Sequence, residues 1–303
     1  MAILMQHRHP SIITYVFNPR TVGNTYEQFF TFCQADAFTM VEGLAVTEKR
    51  RITDEEAREV VRSIADALRH CHDLGIFHLD VKPDNILVQE LGVYRLTDFG
   101  SSLITRQKSR MAGQEPSSSS SSVSPTGVVE TAAATPLPLP RLKVRRGRGR
   151  GRGRDVLSGT ITYAAPEALF FYNFEDDDDP DSADDAEKRR RRRLGHCDVW
   201  SLAMTIFVMR CGYMLWNVAR AHEDLNYQSW CVAYEKADCS QLRDIITSTV
   251  LDAQLLCPDV HLPALGADFT DLLIRMLNPN PALRLTMQEV CEHPWLRPVT
   301  AGV

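Results

Sequence analysis

The sequence predicts an α+β fold in which a large helical lobe carries only a small amount of sheet. Apolar residues recur at helical spacing over 53–75, and this periodicity predicts an amphipathic helix of about five turns. Over 197–209 nearly every residue is apolar, as in a helix that is buried on every side. Two short apolar runs, 86–88 and 93–96, predict a β-hairpin. Helices therefore outweigh strands in the predicted fold.

The first predicted helix has a recognisable beginning and end. Thr53 and Glu56 have the spacing of a capping box, and Gly75 stops the apolar run. The stripe between them is predicted to be core and consists of Ala57, Val60, Val61, Ile64, Ala65, Leu68 and Cys71. Toward the C-terminus, a second stripe over 269–277 and a short run over 287–293 predict two further helices.

The residues on the two sides of the predicted hairpin carry the chemistry. His78-Leu79-Asp80-Val81-Lys82-Pro83-Asp84-Asn85 precedes it, and Asp98-Phe99-Gly100 follows it. Transfer of a phosphoryl group needs a carboxylate that orients the attacking hydroxyl and cations that neutralise the phosphate oxygens. Asp80 fits the first role, and Lys82 would reach the transferred phosphate. Asn85 and Asp98 offer the hard oxygen ligands that Mg²⁺ prefers.

These two motifs resemble the catalytic loop, H-R-D-x-K-x-x-N, and the magnesium-binding D-F-G of eukaryotic protein kinases. Leu79 departs from the pattern, because the family usually has arginine there. The resemblance implies a protein-kinase-like fold, with a mainly α-helical C-terminal lobe and a remnant of the small β lobe. It also implies ATP and Mg²⁺ as cofactors and the same roles for the four side chains above. Leu87 would form the floor under the adenine, although a place in the core explains it equally well.

Further motifs of the family follow in the same order along the chain. The stretch from Gly159 to Glu167 resembles G-T-x-x-Y-x-A-P-E, whose glutamate pairs with a distant arginine, and Arg284 occupies the place of that partner. The stretch from Asp198 to Ala203 resembles the D-x-W-S-x-G opening of the buried central helix, with Ala203 in place of glycine. These residues are expected to hold the lobe together rather than to do chemistry.

Two residues indicate the substrate type by resemblance. Serine/threonine kinases carry the lysine at Lys82 and the threonine at Thr160, and the main group of tyrosine kinases has neither. The loop also shows a minor likeness to Wee-type kinases, which usually lack the G-T-x-x-Y-x-A-P-E pattern that this chain keeps. Because Leu79 cannot pair with a phosphate, phosphorylation within 101–158 is predicted not to switch activity through this residue.

Residues 1–45 are predicted to be a remnant of the kinase N-lobe and the hinge, and residues 46–298 the C-lobe. No G-x-G-x-x-G loop precedes the catalytic loop. The stretch from Glu27 to Ala35 resembles the last strand of the small lobe leading into the hinge, and we call it the hinge-like segment; Lys49, the first lysine, follows it. The phosphate-covering loop and the strand lysine are therefore expected to be absent, which leaves the activity of the chain as given uncertain. Three explanations are open: a gene model that starts too late, a pseudokinase, or a chain that a partner completes. The first is favoured, because the catalytic residues are intact.

Two insertions of low complexity interrupt the predicted C-lobe, at about 104–157 and 174–193. Their Ser-, Pro- and charge-rich composition cannot bury a core, and it predicts disorder. The first contains an Arg-Gly repeat within 141–154, which we call the Arg-Gly arm. We expect it to bind polyanions weakly and in a salt-sensitive way, with a solvated spacer as the alternative. Titrating labelled RNA with a chain that lacks the arm tests this expectation.

Composition limits the remaining possibilities. The chain has 303 residues and a net charge of −5 at pH 7, enough length for one large lobe with insertions. Its eight cysteines are scattered without a C-x-x-C pair, which favours reduced thiols over a disulfide framework or a zinc site. No apolar run approaches the roughly 20 residues that span a bilayer, so a soluble protein in the cytoplasm or nucleus is expected, with no membrane contact. The oligomeric state stays open.

The sequence therefore predicts a serine/threonine protein kinase that transfers the γ-phosphoryl group of ATP to a protein substrate. A different class of function remains as the alternative: a catalytically dead pseudokinase scaffold that uses the helical lobe and its charged arms for interaction. An upstream Gly-rich loop and strand lysine in the genomic sequence would favour the enzyme.

Overall fold

The computed structural model describes residues 4, 6–22, 25–90, 92–105, 160–169 and 183–297. Its strands are β1 Tyr15–Val22, β2 Thr25–Phe30, β3 Ala35–Asp36, β4 Ile76–Phe77, β5 Ile86–Glu90, β6 Val93–Leu96 and β7 Leu103–Ile104. Its helices are α1 Ala37–Thr47, α2 Asp54–Asp73, α3 Pro166–Leu169, α4 Ala183–Cys211, α5 Leu225–Glu235, α6 Cys239–Leu256, α7 Ala267–Met276 and α8 Met287–Glu292. Helices predominate, as the α+β prediction requires.

Helix α2 begins and ends as the sequence predicts. The Thr53 side chain accepts from the backbone of Glu56, and the Glu56 side chain accepts from the backbone of Thr53, so the capping box is confirmed. Gly75 lies just beyond the helix with φ at +74°, a left-handed conformation that glycine adopts without strain. The predicted apolar stripe is buried along its whole length. This helix therefore forms one wall of the core.

The sheets are small and antiparallel. Strands β5 and β6 form the predicted hairpin, with Ile86 opposite Leu96, and β3 adds to the other side of β5. Strands β4 and β7 form a second pair, and β1 and β2 a third. The hairpin places the end of the catalytic loop beside the start of the Asp98 motif, because the strands that flank its turn run in opposite directions.

Helix α4 is the central buried element, but it begins earlier than the sequence predicts. Its segment from Leu194 to Met209 is buried on nearly all sides, as expected. The preceding segment, 183–193, was predicted to be disordered and is helical instead, which corrects that part of the second insertion. Ion pairs at i,i+3 spacing, Asp185 with Lys188 and Glu187 with Arg190, stabilise this segment. Because the buried segment is already helical, the charged segment extends an existing helix and does not have to nucleate one.

The remainder of the two predicted insertions, 106–157 and 174–182, lies outside the described residues, as does the Arg-Gly arm. The predicted start of the first insertion, about residue 104, moves past Thr105. Thr105 is buried, and its backbone N–H donates to the Gly75 carbonyl over 2.9 Å. All eight cysteines fall within the described ranges, and none is in a disulfide. Among the described helices, none is both long and apolar enough to cross a membrane.

Candidate active site

The catalytic loop, residues 78–85, is held in place by its first two residues. The backbone N–H groups of His78 and Leu79 donate to the two carboxylate oxygens of Asp198, over 2.9 and 2.7 Å. Asp198 belongs to α4 and is fully buried, so the core itself anchors the loop. Leu79 has φ at +64°, which turns the chain sharply before Asp80. The loop thus presents Asp80 from a fixed support.

Asp80 lies at the centre of a hydrogen-bonded cluster. The Lys82 ammonium donates to Asp80 Oδ2 over 2.9 Å and to Thr160 Oγ1 over 2.8 Å. The backbone N–H and the hydroxyl of Thr160 donate to Asp80 Oδ1, over 3.1 and 3.2 Å. Asn85 Nδ2 donates to the Asp80 carbonyl over 2.8 Å and to Oδ2 over 3.2 Å. The sequence-predicted residues Asp80, Lys82 and Asn85 are therefore in direct contact.

The cluster keeps the Asp80 carboxylate charged. Partial burial raises its pKa, but the hydrogen bonds from Lys82 and Thr160 and the lysine charge outweigh burial, and the pKa lies below its ordinary value. His78, beside it in the chain, is fully buried, and this desolvation lowers its pKa despite the nearby acids. His78 Nε2 lies 2.8 Å from the Thr97 carbonyl, which makes the histidine a structural link between the loop and the strand end.

Asp98 is brought to this cluster by the hairpin. The Thr97 N–H donates to the Asn85 carbonyl over 3.0 Å, so Asp98 follows directly after a residue that is bonded to the catalytic loop. Asp98 is exposed and has a left-handed backbone with φ at +57°, and its Oδ1 accepts from the Gly100 N–H over 3.1 Å. Because Asn85 Nδ2 donates to Asp80, the Asn85 amide oxygen is the side-chain atom that could bind a cation.

The donor set of Asn85 and Asp98 fits Mg²⁺, which prefers oxygen ligands and usually takes one or two from side chains and the rest from phosphates and water. Within the described ranges, no group of three or more His, Cys, Asp and Glu side chains forms a metal site by itself.

Leu87 lies in the middle of β5, half-buried, with Asp36 of β3 opposite it on one side and Arg95 of β6 on the other. The chain reaches β3 through Gln34, whose N–H donates to the Val88 carbonyl over 2.8 Å. The hinge-like segment is therefore hydrogen-bonded to the strand that follows the catalytic loop.

The predicted pair of Glu167 and Arg284 is confirmed. Its two hydrogen bonds measure 2.6 and 3.0 Å in a bidentate arrangement, and the Arg284 side chain is fully buried. Ser201 Oγ on α4 donates to the Tyr163 carbonyl over 2.9 Å. These contacts fix 160–169 to the core, and they hold Thr160 against Asp80.

Sequence reasoning missed one supporting residue, His72. Its Nε2 lies 2.8 Å from Asp198 Oδ2, the oxygen that also accepts from the His78 N–H. The signal was weak, because a histidine near the end of an amphipathic helix has no distinctive neighbours in sequence. Thr160 was singled out as a mark of substrate type, but its direct contact with Asp80 could not be read from a separation of 80 positions.

Comparison with known proteins agrees with this geometry. The family model of the protein kinase domain matches residues 1–130 and 145–296. The chain is similar to CBL-interacting serine/threonine-protein kinase 14 of Arabidopsis thaliana, with 24% identity over 98% of the chain and 47% of that relative. It is similar to two proteins of Oryza sativa subsp. japonica. The identity is 25% over 98% of the chain for CBL-interacting protein kinase 19 and 27% over 80% of the chain for CBL-interacting protein kinase 22. The chain spans 41% and 36% of those two proteins.

The resemblance to protein kinases drawn from the motifs of the catalytic loop, the D-F-G and the G-T-x-x-Y-x-A-P-E stretch is thus confirmed by a match that covers most of the chain. The relatives are named as kinases, and the family uses ATP and a divalent metal in general. The chain belongs to the protein kinase domain family.

Proposed function

We propose that this chain transfers the γ-phosphoryl group of ATP to a serine or threonine hydroxyl of a protein substrate. The observation that carries the proposal is the cluster of Asp80, Lys82 and Thr160, in which a charged carboxylate and an ammonium group lie 2.9 Å apart beside the hairpin. A carboxylate of this kind accepts the proton of the attacking hydroxyl, and the ammonium neutralises charge on the transferred phosphate.

Asn85 and Asp98 are proposed to hold Mg²⁺, which when bound neutralises the phosphate oxygens and fixes their orientation. Leu87 is proposed to contact the adenine, since it lies half-buried in the strand that is bonded to the hinge-like segment. The proposal for serine/threonine specificity rests on Lys82 and Thr160 and on the names of the relatives. Those relatives are named for interacting with CBL proteins, and our proposal is limited to phosphoryl transfer.

The test is transfer of labelled γ-phosphate to a generic serine/threonine substrate by the parent and by Asp80→Asn. The substitution keeps the size of the side chain but removes the base, and we expect a loss of about 10²- to 10⁴-fold in kcat. Nucleotide binding should persist, because Asp80 is not proposed to hold the nucleotide. Asp252→Asn, an exposed acid on α6, is the matched control and should transfer like the parent.

A parent chain that binds nucleotide but transfers no phosphate would contradict the proposal and favour the pseudokinase scaffold. Equal rates in the parent and in Asp80→Asn would show that the measured activity does not come from this site.

A further inference from the structure

The first part of α4, before it enters the core, carries an unbroken run of cations over 188–193. All of them except Arg191 are exposed, and three, Lys188, Arg189 and Arg192, lie within about 100° of one another around the helix axis, given 3.6 residues per turn. We call these three residues the basic helix face. Asp185 lies on the same side and pairs with Lys188 over 3.4 Å.

Other charged residues of the described part of the chain lie near this face. Glu187 is 4.0 Å from Arg190, and Arg191 points its guanidinium to the His72 carbonyl over 2.9 Å. Arg189 forms no ion pair with any described residue. The charge of Arg192 acts on Glu289 of α8, whose carboxylate accepts hydrogen bonds from Thr286. An incoming anion would therefore displace no described partner of Arg189.

Like charges repel within this run. Lys188 and Arg192 are four positions apart, and Arg189 and Arg192 are three apart, so they are neighbours on the helix surface and destabilise it. A bound anion would relieve this repulsion.

The basic helix face is also rigid. The helix that carries it continues into the core at Leu194, and Arg191 fastens its side to the end of α2. The same His72 is bonded to Asp198, which supports the catalytic loop. Because the backbone that carries these cations is already helical, only their side chains lose conformational entropy on binding, and cations on a disordered segment would lose more.

We propose that the basic helix face is a docking surface for an acidic segment of a partner polypeptide, one rich in Asp and Glu. Arginine guanidinium groups match carboxylates in bidentate geometry. The chain as a whole has a net charge of −5, which opposes the approach of a long polyanion such as nucleic acid. A short acidic segment needs to meet only this face. The proposal is independent of phosphoryl transfer.

The experiment measures binding of a labelled oligoglutamate peptide to the full chain by fluorescence anisotropy. We expect the double variant Arg189→Glu/Arg192→Glu to bind about tenfold more weakly, because two attractive contacts become repulsive. The parent affinity should also fall as salt is raised, since the contacts are exposed. Lys236→Glu/Arg243→Glu, with two exposed cations elsewhere on the lobe and the same charge change, is the matched control and should bind like the parent.

The Arg-Gly arm is cationic too, and both double variants retain it so that its contribution cancels between them. A further variant with the arginines of the arm replaced by glutamine separates the two. An equal loss of peptide affinity in both double variants would mean that binding depends only on net charge. A loss of affinity in the arm variant alone would place binding on the arm. Either outcome overturns the proposal. So would labelled RNA that binds the face more tightly than the peptide. Unchanged far-UV circular dichroism and Tm in the variants exclude unfolding as the cause of a loss.

Discussion

Asp80 is the residue on which the proposed chemistry depends, and its neighbours set its charge. Burial raises its pKa, whereas the bonds from Lys82 and Thr160 lower it further than burial raises it. Since its pKa in the folded chain lies below the unfolded value of about 4, the carboxylate stabilises the fold at pH values above that value. This contribution is lost as the pH falls through the folded pKa.

We predict that Lys82→Met raises the pKa of Asp80. The substitution removes the strongest opposing contact and leaves burial in place, so the stabilising effect of the carboxylate should be lost at a higher pH than in the parent. The measurement is a pH titration of the labelled Asp80 carboxyl by NMR. Lys49→Met, an exposed lysine outside the cluster, is the control. A titration of Asp80 that moves to lower pH, or stays in place, would contradict the prediction.

Leu79 carries a regulatory prediction at the same scale. It is half-buried against the core, and its side chain cannot pair with a phosphate. We expect activity of the parent to be independent of phosphorylation within 101–158, and Leu79→Arg to introduce such dependence by supplying a cation. Assays of phosphatase-treated and kinase-treated protein measure this. Strong dependence in the parent would count against it.

Helix α4 connects the core to the catalytic loop through one carboxylate. Asp198 is fully buried and accepts from His72 and from the backbone of His78 and Leu79. Three donors converge on two oxygens. The geometry of the loop is therefore a property of the helix as much as of the loop residues.

We predict that Asp198→Asn lowers the free energy of unfolding by about 2–4 kcal/mol, because an amide turns one acceptor into a donor that faces N–H groups. Urea denaturation measures the change. Asp271→Asn, whose side chain is 41% exposed and bonded to His293, is the control and should change stability by less than about 1 kcal/mol. Similar losses in the free energy of unfolding for the two variants would mean that burial of Asp198 does not increase its contribution to stability.

Composition misled the sequence reading at 183–193. An acidic block followed by a basic one is typical of disordered segments, but the same residues pair at i,i+3 spacing, and a buried helix follows without a break. Whether such a run is ordered depends on what it is joined to. The neighbouring core provides the nucleus that the charged segment lacks by itself.

At the scale of the whole molecule, nucleotide binding should stabilise the fold. We predict that ATP with Mg²⁺ raises Tm by about 3–6 °C at ten times Kd, since a ligand that binds only the folded state adds its binding free energy. Asp98→Asn should lose the Mg²⁺-dependent part of the shift, and Asp252→Asn should retain it. Differential scanning fluorimetry measures all three. A shift that Asp98→Asn keeps in full would place the metal elsewhere.

Local patterns predicted helix α2 with its cap, the β5–β6 hairpin and the buried part of α4, because spacing and capping signals lie within a few residues of one another. Helices α1, α5 and α6 were not predicted, since their apolar residues are less regularly spaced and tertiary packing stabilises them. Side chains far apart in sequence, such as His72 and Asp198, could be placed only by the fold.

The sequence by itself determined the identity and order of the proposed catalytic groups, because their types and spacings follow from the chemistry of phosphoryl transfer. Only the tertiary structure decided which of them touch. It sets Thr160 against Asp80 and Lys82, joins His72 to Asp198, and makes a charged run helical. The physical reason is that hydrogen bonds and burial depend on distances in space, and the packing of α2, α4 and the hairpin sets those distances.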